Sequence, residues 1–142
     1  MSKDTKATPV WQADSAELFG DIELSEGVSI WSKVVMRAEV HYIKIGSFTN
    51  IQDFAMIHIS SQETVIGKFC SITHHSTIHG ATIGDNCLIG INSTIMDRAI
   101  VGRNSIVAGN TIVTEDSFFP DNSVIAGVPG RLIATKNNYV AN

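Results

Sequence analysis

No run of apolar residues in this sequence exceeds a few positions, far short of the roughly 20 that a membrane-spanning helix requires. Basic runs are missing too. Ten Lys and Arg stand against 14 Asp and Glu, a net charge of −4, so the chain lacks the electrostatic footprint of a nucleic-acid binder. Cysteine occurs only at Cys70 and Cys87, which makes no disulfide framework and points to a reducing, cytoplasmic home. No charged, apolar, small-residue leader precedes Trp11, so export is not expected. The 142 residues fit one domain with a real core; residues 1–10 read as a flexible lead-in and 131–142 as a short tail.

What the chain does have is a repeat. Stepping back by six from Ile125 gives Phe119, Val113, Val107, Val101, Ile95, Ile89 and Ile83, all large and apolar. One five-residue step continues the series through Ile78, Ile72 and Ile66. A nine-residue step then reaches Ile57, Ile51 and Ile45, and another reaches Met36, Ile30 and Leu24. Seventeen anchors without a polar residue is far from chance in a chain that is 44% hydrophobic.

Four residues after an anchor the side chain is usually small: Thr49, Ala55, Cys70, Ser76, Thr82, Cys87, Ser93, Ala99, Ser105, Thr111, Ser117 and Ser123. Between them lie turn formers that tolerate positive φ, such as Asp85-Asn86, Arg103-Asn104 and Asp121-Asn122. Neither the helical period of about 3.6 nor the strand period of 2 fits. A period of six fits flat sides with one bulky residue pointing inward, three sides closing a triangular coil of about eighteen residues. Stacked coils pair as parallel strands about 4.8 Å apart. The anchors group as 24-30-36, 45-51-57, 66-72-78, 83-89-95, 101-107-113 and 119-125, about six turns. The nine-residue steps read as loops inserted near residues 37–44 and 59–65, where function is commonly added. The expected fold is all-β, a parallel β-helix of hexapeptide repeats; the left hand is taken from what the repeat resembles, since ordinary crossovers are right-handed.

This frame places the histidines of MIHIS and THHSTIHG. His58 follows Ile57 and His79 follows Ile78, each one residue after the third anchor of successive coils. Their rings should stack, pointing outward, near enough to share an ion given zinc–nitrogen bonds of about 2.0–2.1 Å. His74 lies on the previous side, and five residues of extended chain span up to about 16 Å, so it should not reach that ion. A neighbouring chain in a threefold assembly can supply it.

The runs RAEVHYIKIGSFTNIQDFAMIH, TVIGKFCSITHHSTIHGATIGDNCLIG and VIAGVPGRLI, over most of the chain, resemble the γ-class carbonic anhydrase family. The family's Arg-Gly-Asp, Asn-x-Gln-Asp and histidine motifs fall by position on Arg37, Asn50, Gln52, Asp53, His58, His74 and His79. The resemblance implies a homotrimer with a metal at each interface, held by His58 and His79 of one chain and His74 of the next. It implies Zn2+, with Fe2+ or Co2+ as alternatives, and a metal-bound hydroxide that converts CO2 to bicarbonate. Gln52 would orient the hydroxide with Asn50 nearby, and Arg37 and Asp53 would pair across the interface.

Arg37-Ala38-Glu39 stands where the family has Arg-Gly-Asp; Ala38 lacks glycine's freedom at positive φ, and Glu39 reaches one methylene further than Asp. Val40 occupies the position of an acidic proton shuttle, which leaves His41 or His75 as candidate relays. Only RLIATKNNYVAN follows Gly130, where family members commonly add a long helix. Two other readings share the pattern. A metal-binding but idle homologue could serve as a scaffold, and acyltransferases built on the same prism use one histidine as a base rather than three as ligands. Cys70 and Cys87 read as small apolar fillers, and Trp11 and Trp31 as packing residues under the first coil.

Overall fold

A computed structural model of the protein describes residues 11–135. The expected lead-in, 1–10, and the last seven residues of the expected tail lie outside that range. The chain forms a left-handed parallel β-helix of short strands in about six turns. Among the described residues no helix is long and apolar enough to cross a membrane.

The three sides are three columns in strict register. Leu24, Ile45, Ile66, Ile83, Val101 and Phe119 stack on the first side. Ile30, Ile51, Ile72, Ile89, Val107 and Ile125 stack on the second. Met36, Ile57, Ile78, Ile95 and Val113 stack on the third. Every anchor except Phe119, which is partly buried, is at most 1% exposed. Each side therefore offers one bulky side chain to a shared axis, and stacking makes the core continuous.

A second inward position lies two residues before each anchor, because side chains alternate along an extended strand. Counting from the following anchor corrects one expectation. Where the step shortens to five, Ala81 fills the buried corner and Thr82 is only half-buried in the strand Thr82–Ile83. The same position carries larger residues in the early coils, Ile22, Val28, Val34 and Ile43, all fully buried.

Three residues after most anchors the backbone turns through the left-handed region. Asn86, Asn104 and Asn122 do so as expected, with φ of 57°, 58° and 65°, but so do Phe48, Phe54, Phe69 and His75. Stacking between coils favours these larger residues. Phe48 lies on Phe69 with ring centroids 5.5 Å apart, and Phe54 on His75 at 4.9 Å and 3°. The asparagines bond up the same corner, Asn86 Nδ2 donating to Asn104 Oδ1 at 3.0 Å. Just before these turns the coils approach so closely that a Cβ at Gly84 would lie 2.5 Å from the Arg103 backbone nitrogen. Gly84→Ala should therefore cost about 1–3 kcal/mol as overpacking, read as a lower denaturant midpoint.

The structure adds detail to several further expectations. Residues 37–44 do not form a loop; they lie within one long strand, Val35–Ile45, whose first part pairs with Met56–His58 and whose last part pairs with Thr64–Ile66. Ala38 sits buried in that strand without positive φ, so the alanine is accommodated. The expected tail includes a strand, Arg131–Thr135, which turns back antiparallel on Ser123–Ala126. Trp11 and Trp31 pack together at 6.1 Å, but they are 52% and 42% exposed and flank the solenoid rather than fill it. The helix also starts earlier than the first anchor, since Trp11–Gln12 pairs with Ser29–Ile30 and Glu17–Leu18 with Val35–Met36.

Candidate metal centre

The parallel register sets Arg37, His58 and His79 one above another on successive coils of the third side. The imidazole centroids of His58 and His79 are 5.1 Å apart with planes inclined by 57°. The backbone behind them is pinned. Thr64 Oγ1 donates to the His58 carbonyl at 2.5 Å and accepts from the Gly80 N–H at 2.8 Å. Gly80 itself turns at φ +62°, and a Cβ there would run into the Ser60 side chain, so glycine is required directly after His79.

Carboxylates surround this column. Asp97 Oδ1 lies 2.5 Å from His79 Nδ1, and Glu39 Oε2 lies 3.0 Å from His58 Nε2. Glu39 also pairs with Arg37 Nε at 2.9 Å, and Arg37 reaches to 3.3 Å from His58 Nε2. Within one chain, then, Arg37 meets Glu39 and His58, not Asp53.

Burial alone would push the Glu39 carboxyl up, but hydrogen bonds from its own backbone and His58, with the charges of His58 and Arg37, hold it below the usual carboxylate range. Asp97 behaves likewise: burial raises it, while hydrogen bonding to His79 and the charges of His79 and Arg98 outweigh that and lower it. A carboxylate depressed in the folded state contributes stability above its unfolded pKa of about 4 and loses it as pH falls through the folded value. Metal-free protein should therefore lose thermal stability below about pH 4, and Glu39→Gln should flatten that decline.

The remaining candidates meet on the second side. Gln52 Nε2 donates to Asn50 Oδ1 at 2.9 Å, and Asn50 Nδ2 donates to Ser71 Oγ at 3.0 Å. These residues, with Trp31, Asp53 and His74, line an open cavity of about 500 Å³. His74 Nδ1 stands 3.4 Å from Asp53 Oδ1. His75 is turned away to the corner against Phe54, and Val40 is 77% exposed in the protruding part of the long strand.

The structure thus brings together His58, His79 and Arg37 on one side and Asn50, Gln52, Asp53 and His74 on the next. Among the described residues, no three His, Cys, Asp or Glu side chains of a single chain converge on one point. The donor set suits a divalent cation, since His79 and His74 each direct Nδ1 toward a carboxylate, which favours a free Nε2. Sequence reasoning missed Asp97. A signal was available, because Asp97 lies eighteen positions, one coil, after His79. Cys70 and Cys87 are buried, their thiols bonded to the carbonyls of Gly84 and Gly102 at 3.1 and 3.2 Å. Hydrogen bonding to Cys70 and burial push the Cys87 thiol up, in keeping with an inert filler.

Residues 80–115 match the family model described as bacterial transferase hexapeptide (six repeats). Over 122 residues the chain is 52% identical to a Methanocaldococcus jannaschii protein named "Probable carbonic anhydrase", covering 85% of this chain and 77% of that one. It is 36% identical over 93 residues to "Gamma carbonic anhydrase 2, mitochondrial" of Arabidopsis thaliana, covering 61% of this chain and 34% of that protein. A crystal structure of a hexapeptide transferase family protein from Anaplasma phagocytophilum superposes with a TM-score of 0.87 at 32% identity, over 94% of this chain and 79% of the other.

Proposed function

The chain belongs to the γ-class carbonic anhydrase family, and from that premise we propose that it interconverts CO2 and bicarbonate at a divalent-cation site shared between neighbouring subunits of a homotrimer. The observation that carries this proposal is the register of His58 on His79, with His74 beside Gln52 on a different side of the prism. In the proposed assembly His58 and His79 of one subunit face His74 of the next. Three neutral imidazoles suit Zn2+, and equally Co2+ or Fe2+. When bound, such a cation supplies the Lewis acidity that makes a nucleophile from water at neutral pH.

The chain's own residues do the orienting. Gln52 commits its amide nitrogen to Asn50, and Asn50 is held in turn by Ser71, so Gln52 Oε1 is the atom offered to accept a hydrogen bond from the nucleophile. Arg37 and Asp53 lie on the two sides that would meet, and they supply opposite charges to that contact. At Val40 no titrating side chain is available, so the excess proton leaves through His41 or directly to buffer. The buried free thiols of Cys70 and Cys87 suit a cytoplasmic location.

The test is CO2 hydration by the metal-loaded protein, with and without added imidazole buffer. Hydration that rises with imidazole is expected, and Gln52→Ala should lower kcat about 10²-fold through lost orientation. A metal-loaded trimer that stays inactive in imidazole buffer would instead favour the idle scaffold.

A further inference from the structure

Asp97 lies outside the motifs that carry the resemblance, yet among the described residues it makes the shortest polar contact to any of the three imidazole rings. Its Oδ1 stands 2.5 Å from His79 Nδ1, against 3.4 Å for Asp53 on His74, while His58 meets its carboxylate through Nε2 instead. A carboxylate only accepts, so this contact requires the hydrogen of neutral His79 to sit on Nδ1. The lone pair of Nε2 is then free for a cation.

The turn that carries Asp97 is fastened on both flanks. The Arg98 N–H donates to the Gly80 carbonyl at 2.7 Å, locking the backbone directly after His79. The Asp97 carbonyl accepts from the Asp116 N–H at 3.0 Å on the following coil. The Arg98 guanidinium grips both carboxylate oxygens of Asp116, at 2.6 and 3.2 Å, and donates to Ser61 Oγ at 3.2 Å in the loop after His58. Asp97 is therefore held by three segments and placed on one ring nitrogen.

We infer that Asp97 is a positioning residue, which fixes the tautomer and ring orientation of His79 so that Nε2 is presented to a divalent cation. The inference rests on the reading of His79 as a ligand, and the experiment separates the two. Zinc affinity is measured by chelator competition on the full-length protein for the wild type, His79→Ala, Asp97→Ala and Asp97→Asn. Imidazole nitrogen shifts of the metal-free protein are recorded by NMR above pH 8. Asp97→Ala should weaken zinc binding roughly 10- to 100-fold and shift neutral His79 away from the Nδ1–H form. Asp97→Asn, which keeps an accepting oxygen, should lose less of both. It also serves as the decisive variant if the alanine protein does not fold.

Loss of zinc in His79→Ala, with wild-type affinity and an unchanged tautomer in the Asp97 variants, would overturn the inference and leave the ligand assignment standing. Wild-type affinity in His79→Ala would overturn the ligand assignment, and the inference with it.

Discussion

His58→Ala and His74→Ala should each leave the protein without the proposed stoichiometric cation and should lower CO2 hydration by at least about 10³-fold, close to the loss of the whole metal contribution. The equality is the informative part. The two imidazoles stand on different sides of the prism, and within one chain they join no common cluster. A site built from a single chain would not need both. His75→Ala is the matched control, because His75 neighbours His74 in sequence yet stacks on Phe54 at the corner. It should retain the cation, with metal content by elemental analysis as the readout.

Ile78→Ala should destabilise the protein by about 2–5 kcal/mol, the cost of a cavity where a fully buried isoleucine stood. Ile78 is stacked between Ile57 and Ile95 in the third column, so the cavity has packed side chains above and below. A solenoid coil is supported mainly by its neighbours, so the loss cannot be spread over a wider core. It also falls directly before His79. Ile100→Ala offers the comparison, since Ile100 is 43% exposed on the outer surface and should cost about 0.5 kcal/mol or less. Denaturant midpoints of the two variants measure the difference.

The fold was legible because the anchors repeat on a fixed period, and one misplaced anchor would have shifted every column after it. The placement of His58 over His79 followed from that count alone. Other features were not legible, for physical reasons. Nothing in the nine-residue step before Ile45 distinguishes an extruded loop from the extended strand Val35–Ile45, because both consume the same length of chain. Trp11 and Trp31 read as packing residues under the first coil; they pack on each other but stay half-exposed beside the first coils, because three narrow sides already fill the axis with aliphatic anchors. The Phe48–Phe69 stack shows that corners need not be Asn or Gly when a ring on the next coil rewards a larger residue. The contacts of Glu39 with His58 and of Asp97 with His79 join neighbouring coils, and reading them takes the one-coil offset applied to carboxylates as well as to histidines.

The most direct measurement of the proposed shared site is complementation between two variants each expected to bind no metal. His58→Ala and His74→Ala chains, mixed in equal amounts, unfolded and refolded together, assemble at random. Every mixed trimer then contains one interface where an intact His58 and His79 face an intact His74, so about one quarter of all interfaces are restored. Recovery of about 0.25 cation per chain, with hydration activity in proportion, is the expected result. A mixture that binds no more metal than either variant alone would contradict the account, since it would mean that each chain holds its ion by itself or not at all.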